Sequence, residues 1–272
     1  MKNSGQRVVI TGAGSGLGRE LALRYAREGG RLALADIQDD GVKETLAMVE
    51  QAGGWGFTQR CDVRDFSQLA ALAQSCQERM QGVDVLINNA GVSSGGFFWD
   101  LTLEDWEWQI SINLMGVVKG CKAFIPMFTA QRSGRIVNIA SMAALMQAPG
   151  MSNYNVAKAG VVALSESLLV ELQPLGIKVN VVCPSFFQTN LLDSYRGPDL
   201  ASKEQVAKLL ESSPITAADI ADIVFTQSEA DRFMILPHES GRQAWAVKQA
   251  NPQAIYDEMT RLASKKLQVP SS

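Results

Sequence analysis

The chain has 272 residues, 46% hydrophobic and 19% charged, with 25 Lys plus Arg against 28 Asp plus Glu for a formal charge of -3. This is ample apolar material for a large core, and no basic run is long enough to track a phosphate backbone, so nucleic acid is not an expected partner. Cys61, Cys76, Cys121 and Cys183 are widely spaced without a C-x-x-C pair and His238 is the sole histidine, which argues against disulfides and a metal site.

Residues Met1 to Gln6 lead straight into a short apolar run instead of a signal segment, and no apolar run approaches the roughly 18 residues of a membrane span. A soluble, cytoplasmic protein is expected. Arg7-Val8-Val9-Ile10-Thr11 has the pattern of a buried strand, followed by Gly12-Ala13-Gly14-Ser15-Gly16-Leu17-Gly18 and a helical run from Arg19 to Glu28. Strand, glycine loop and helix make a phosphate-binding arrangement: glycines let the backbone approach a pyrophosphate, and the helix N-terminus offers unpaired N–H groups and a positive dipole end. The strict G-x-G-x-x-G spacing is not met, because position 17 is leucine.

A second strand, Arg31 to Ala35, ends at Asp36, 24 positions after Gly12. An acidic side chain near this distance can bind the adenosine ribose hydroxyls and repel a 2′-phosphate, favouring NAD over NADP. The same residue could instead cap the next helix, Val42 to Gln51. Trp55 to Cys61 is the third strand, and Asp62 after it either accepts from an adenine amino group or caps the helix Phe66 to Met80. Val83 to Ile87 is a fourth strand, running into Asn88-Asn89-Ala90-Gly91. Strands alternating with helices imply a parallel sheet with right-handed crossovers, and ligands of such sheets bind at the carboxyl ends of the strands.

The aromatic group Phe97, Phe98, Trp99, Trp106 and Trp108 precedes a long helical segment to about Ala130, with Asn113 near its start and a bend expected at Pro126. Aromatics at this density are core or subunit contacts, or line a pocket from the loop. The strand Arg135 to Ile139 delivers Ser141 at its carboxyl end, 13 positions before Tyr154. Tyr154 and Lys158 are four apart on an apolar-striped helix through Glu171, so their side chains share a face. An ammonium about 5 Å from a phenol, at an effective dielectric near 20, favours the phenolate by on the order of 3 kcal/mol, or about two pKa units. A tyrosine so placed can transfer protons near neutral pH. Ile177 to Cys183 is another strand, ended by Pro184. A loop from 185 to 213 bears Phe186, Phe187, Leu191, Leu192 and Tyr195; Ile215 to Phe225 is a helix, Arg232 to Leu236 a last strand, and an amphipathic tail follows. No linker or repeat divides the chain, which reads as one domain, 1–272, with a substrate loop 185–213 and a helical tail 240–272.

Thr11-Gly12-x-x-x-Gly16-x-Gly18, Asp62, Asn88-Asn89-Ala90-Gly91, Asn113, Ser141, Tyr154 with Lys158, and Pro184 with Thr189 occur together in one order. In this set the chain resembles the short-chain dehydrogenase/reductase family. The resemblance implies an α/β fold with a Rossmann-type doubly wound parallel sheet in three α/β/α layers, and hydride transfer between a nicotinamide and an alcohol or carbonyl. It implies Tyr154 as acid/base, Lys158 on the nicotinamide ribose and tuning the phenol, Ser141 on the substrate oxygen, and Asn113 holding a relay water. Gly12, Ser15, Gly16 and Leu17 would surround the pyrophosphate, Asp36 the adenosine ribose, and Asp62 with Val63 the adenine. Asn89 and Ala90 would line the adenosine side, and Phe187 and Thr189 would meet the carboxamide. It further implies a homodimer or homotetramer.

Two departures stand out: Pro184-Ser185 replaces the family's usual Pro-Gly, and Leu236-Pro237-His238-Glu239 replaces its usual Asp-Gly-Gly-like turn. The expected activity is NAD-dependent oxidation of an apolar secondary alcohol, or the reverse. The alternatives are an NADPH-dependent carbonyl reductase and a non-catalytic dinucleotide sensor.

Overall fold

The computed structural model describes residues 5–189, 194–198, 204, 207, 208, 210 and 212–268. Leu191 and Leu192 of the expected substrate loop lie outside these residues. Seven short apolar runs form strands β1 (Arg7–Thr11), β2 (Arg31–Asp36), β3 (Trp55–Arg60), β4 (Val85–Asn88), β5 (Gly134–Ile139), β6 (Ile177–Val182) and β7 (Met234–Ile235). Between and after them run α1 (Gly16–Arg27), α2 (Asp39–Gln51), α3 (Phe66–Met80), α4 (Leu103–Asn113), α5 (Met115–Gln131), α6 (Ala143–Met146), α7 (Ser152–Leu172), α8 (Ala217–Glu229), α9 (Glu239–Ala250) and α10 (Pro252–Leu267).

All strand pairs are parallel, in the order β3-β2-β1-β4-β5-β6-β7. The chain winds outward from β1 to β3 and then returns to place β4 on the other side of β1. That reversal opens a crevice at the carboxyl ends of β1 and β4, the usual ligand position of an open α/β sheet. Period-2 alternation splits each strand between two apolar layers: Val8 and Ile10 pack on one face, Val9 on the other, and in β2 Leu32 and Leu34 oppose Ala33 and Ala35. This is the Rossmann-type three-layer arrangement.

A chain of buried polar groups crosses from the sheet to the helix bearing Tyr154. Asn88 Nδ2 donates to Asn138 Oδ1 at 2.9 Å, and Asn138 Nδ2 donates to Ser165 Oγ at 3.0 Å. Ser165 Oγ donates in turn to the Val161 carbonyl at 2.7 Å, within α7. Asn138 and Ser165 are wholly buried. Because desolvated amides need their partners, these bonds select one axial position of α7 on β4 and β5.

Several elements differ from the sequence expectation. The expected long helix is two, α4 and α5, broken at Leu114 (φ −113, ψ −58), and Asn113 closes the first instead of starting one long helix. A capping box of Thr102 and Asp105 starts α4 at Leu103, earlier than expected, so that Trp106 and Trp108 lie within the helix instead of before it. By length and composition alone Leu103–Gln131, of mean hydropathy 1.2, is apolar enough to cross a membrane, contrary to the expectation that no apolar run approaches that length. In the fold, α4 packs on α7, and α5 on α3, β4 and β5. Strand β7 has two residues where five were expected, and the tail is two helices parted at Asn251-Pro252.

Asn138→Ala is expected to cost about 2–4 kcal/mol, since it takes away the oxygen acceptor of the buried Asn88 amide and the donor to the Ser165 hydroxyl. Urea unfolding of the variant measures this, and a loss below about 1 kcal/mol would count against the polar chain as a determinant of helix position.

Candidate active site

The carboxyl ends of the strands open on a cleft of about 1280 Å³. A drug-sized ligand typically occupies about 300–1,000 Å³, so a dinucleotide and a second molecule have room together. Every residue expected at the site lines this cleft except Asn113.

The glycine loop after β1 is shaped by close backbone approach. A Cβ on Gly18 would lie 2.0 Å from the Gly12 carbonyl oxygen, and one on Gly12 would lie 2.7 Å from the Ala90 Cα. Asn89 clamps the loop from β4: its Nδ2 donates to the carbonyls of Thr11 and Gly12, both at 3.0 Å. Thr11 Oγ1 accepts from the Asn89 and Ala90 N–H groups at 3.1 and 3.2 Å. Ser15 is the N-cap residue of α1 but makes no side-chain capping bond, so the N-terminal N–H groups and the Ser15 hydroxyl border the cleft together. These donors, with the dipole end, suit a pyrophosphate.

Asp36 stands at the end of β2. Its Oδ2 accepts from the Gly14 N–H at 2.8 Å and its Oδ1 from the Gln38 N–H at 3.0 Å, which aims the carboxylate over the glycine loop. The N-cap of α2 is Gln38, so capping is not its job. Asp62 likewise is not the cap of α3: that is Asp65, whose side chain accepts from the Ser67 N–H. Asp62 instead pairs with Arg64 at 2.6 Å, and this hydrogen bond holds its carboxyl below the usual range. Val63 beside it is buried, because Gly116 lets α5 approach within contact of its side chain.

Tyr154 and Lys158 project from α7 into the cleft as their i, i+4 spacing requires, next to Ser141 at the end of β5. Lys158 Nζ donates to the Ile139 carbonyl at 2.9 Å and lies 5.8 Å from the Tyr154 ring centroid. Ser141 Oγ accepts from the Ala143 N–H at 3.1 Å, and its polar side chain favours the charged form of the Tyr154 phenol. The electrostatics correct the sequence estimate of a lowered phenol. Burial pushes Tyr154 up to about 12, with the Ser141 side chain opposing, and burial pushes Lys158 down to about 8. Desolvation at this closed junction outweighs the pull of the ammonium on the phenol.

Asn113 is wholly buried behind this group. Its side chain accepts from the Val92 N–H and donates to the Val92 carbonyl, both at 2.8 Å, fixing the segment after β4 next to Lys158.

The sequence missed three contributions. Of the aromatic group only Trp108 lines the cleft, while Phe98 and Trp99 are largely exposed; the apolar wall comes from Met142, Met146, Met151 and Met259 with Phe186 and Phe187. The tail also forms a wall, through Ser240, Gly241 and Ala244 of α9 and through Met259, Leu262, Lys265 and Lys266 of α10. Third, His238 is a two-point clamp. Its Nδ1 accepts from the Ser185 N–H at 3.1 Å and its Nε2 lies 3.0 Å from the Phe186 carbonyl, so the ring is neutral with the proton on Nε2. The two departures noted in the sequence thus meet each other, one holding the other at the entry to the substrate loop. Both lie at positions where a loop residue's signal is tertiary, which no periodicity reports.

Residues 6–199 match the short chain dehydrogenase family. The chain belongs to that family. Over its whole length it superposes on 98% of a short-chain dehydrogenase/reductase from Burkholderia phymatum solved in complex with NAD, with a TM-score of 0.87 and 32% identity. It is 32% identical over 257 residues to the CLA biosynthesis dehydrogenase/reductase of Lactiplantibacillus plantarum, covering 88% of this chain and 90% of that one. It is 37% identical over 186 residues to EphD of Mycobacterium tuberculosis, of whose length the match spans 31%. As a short-chain dehydrogenase/reductase the chain is an oxidoreductase acting on CH–OH groups, and an enzyme where the sequence left a sensor as an alternative.

Burial holds His238 below its usual 6.5, with Arg242 also lowering it and the Phe186 hydrogen bond opposing. As pH falls below 6.5 the unfolded chain takes the proton first. The histidine's contribution to stability is therefore full above that pH and is lost on acidification. Thermal unfolding of the wild type is expected to show this loss, and His238→Asn, which does not titrate, is expected to lack that component.

Proposed function

We propose that this enzyme transfers a hydride between NAD(H) and an apolar secondary alcohol or its ketone, with Tyr154 as the acid/base. The observation that carries this reading is the meeting of Ser141, Tyr154 and Lys158 at one end of a cleft whose other end is a glycine loop under Asp36. When bound, the cofactor supplies or accepts the hydride and, in its oxidised form, adds a positive charge.

The residues divide the remaining work. Gly12, Ser15, Gly16 and Leu17 hold the pyrophosphate by backbone donors, Asp36 the adenosine ribose, and Asp62 with Val63 the adenine; Asn89 and Ala90 border the adenosine, and Phe187 and Thr189 the carboxamide. Asp36 favours NAD, since a 2′-phosphate would meet its carboxylate at close range. Ser141 donates to the substrate oxygen and stabilises charge as it develops there. Tyr154, kept protonated at neutral pH by burial, gives its proton to a carbonyl being reduced; for oxidation it must first lose that proton. Lys158 holds the nicotinamide ribose and favours the phenolate while its ammonium persists. Asn113, by bracing the segment at Val92, keeps the wall beside Lys158 open for a relay water.

The apolar substrate is supported by the methionine and phenylalanine wall, which adapts to irregular apolar shapes. We further infer one domain, a homo-oligomeric state and a cytoplasmic location, the last supported by four buried, unpaired cysteines.

Oxidation of secondary alcohols with NAD is expected to gain kcat/KM as pH rises above neutrality, as the phenolate fraction of Tyr154 grows, whereas ketone reduction is expected to hold level until pH approaches about 12. Tyr154→Phe is expected to lower both by about 100-fold or more while NAD still raises the unfolding temperature. Turnover unchanged in Tyr154→Phe would overturn the mechanism, and tighter binding of NADP than of NAD would overturn the cofactor assignment.

A further inference from the structure

The buried imidazole of His238 grips a single dipeptide at the mouth of the substrate loop. Nδ1 accepts from the Ser185 N–H at 3.1 Å, and Nε2 donates to the Phe186 carbonyl at 3.0 Å. Ser185 and Phe186 lie in neither strand nor helix, so no sheet ladder or helical turn directs their backbone groups. Both residues border the cleft.

The gripping side is itself anchored. Strand β7 sets Met234 beside Val181 and Ile235 beside Val182, and Arg242 of α9 donates to the Leu236 and Pro237 carbonyls at 2.8 and 2.9 Å. Proline fixes φ at position 237, directly before the histidine. On the other side of the dipeptide the Pro184 carbonyl accepts from the Met142 N–H at 2.9 Å, one residue after Ser141. The start of the loop is thereby referenced both to β7 and to the end of β5, the strand that delivers Ser141.

The grip bears on Phe187. Its ring belongs to the apolar layer of Ile139, Val182, Ile220 and Ile235, and a phenyl ring has no polar atom to offer a ligand. Any hydrogen bond from position 187 to a carboxamide is therefore a backbone bond. The Phe186 carbonyl and the Phe187 N–H belong to one planar trans peptide and point in opposite directions. A bond that fixes the carbonyl toward His238 fixes that N–H away from it. A buried imidazole with two partners also stabilises the fold, but stability alone does not require the held carbonyl to share a peptide plane with a cleft residue.

We propose that His238 is a positioning residue for the nicotinamide: by holding the Ser185–Phe186 backbone it aims the Phe187 N–H at the carboxamide oxygen and so orients the ring for hydride transfer. This rests on the hydride-transfer reading above and adds the side chain that sets the ring's direction beside Tyr154. His238 acts through the peptide and not through its own contact with the cofactor.

The experiment measures calorimetric binding of three ligands: NAD, ADP-ribose, which has no nicotinamide, and the thionicotinamide analogue of NAD, whose sulfur is a weak acceptor. His238→Leu removes both bonds. It is expected to weaken NAD about tenfold, to leave ADP-ribose within about twofold of wild type, and to abolish the preference for NAD over the thionicotinamide analogue. With a secondary alcohol its kcat is expected to fall about tenfold, the cost of a misaligned ring. His238→Asn, whose Oδ1 can still accept from the Ser185 N–H, is expected to weaken NAD only about threefold, again without change in ADP-ribose. Should the leucine variant fail to fold, the asparagine variant decides by that same ratio. Equal weakening of NAD and ADP-ribose, unchanged affinity for NAD, or a preference over the thionicotinamide analogue that survives the substitution would overturn the proposal. If alcohols turn over in the wild type but these ratios do not move, the positioning role fails and hydride transfer stands. If no alcohol turns over, hydride transfer fails, and the binding ratios still decide for or against His238.

Discussion

The position of α7 on the sheet is the constraint from which the site follows. Asn88, Asn138 and Ser165 form a chain of hydrogen bonds where water does not reach, and sliding the helix by one turn would leave amide and hydroxyl groups unpaired at about 1–3 kcal/mol each. Lys158 adds a second tie through the Ile139 carbonyl at the end of β5. With the helix so fixed, Tyr154 arrives beside Ser141, which the same strand delivers. Apolar packing alone would tolerate neighbouring positions; buried polar groups do not.

A second junction forms where β1 and β4 meet. Asn89 reaches across to two carbonyls of the glycine loop, and Thr11 receives two N–H groups in return. The reversal of strand order makes the crevice, and these bonds give it a rigid floor. Absent Cβ atoms at Gly12 and Gly18 are what allow the floor to close this tightly. The glycine loop and the group of Ser141, Tyr154 and Lys158 are therefore both tied to β4, which shares both sets of contacts.

The C-terminal part of the chain is where this molecule is most its own. Where the family usually turns through Asp-Gly-Gly, Pro237-His238 turns the chain into α9, and the imidazole reaches back to the start of the substrate loop. Helices α9 and α10 then wall the cleft, contributing small residues first, then apolar ones, then lysines. A clamp on the loop and a wall on the tail together decide the shape of the substrate space.

Much of this was legible in the order of residues. Period-2 apolar runs marked the strands; the glycine loop, Asp36, Asn89, Ser141 and the Tyr154–Lys158 spacing are local patterns whose meaning survives without knowing what packs on them. Asp62 and Asp36 were ambiguous, because a carboxylate before a helix looks alike whether or not it caps, and only the neighbours Asp65 and Gln38 resolved it. The phenol's proton affinity is hidden from the sequence for the same reason: spacing reports the distance to an ammonium, whereas burial, which dominates here, depends on everything folded around the pair. The sequence by itself determined the fold class, the glycine loop and the spacing of Ser141, Tyr154 and Lys158, since those are encoded by neighbours in the chain. The tertiary structure decided the apolar wall, the His238 clamp and the wall formed by the tail, because each joins segments about fifty to more than a hundred residues apart in the chain, where periodicity and spacing carry no information.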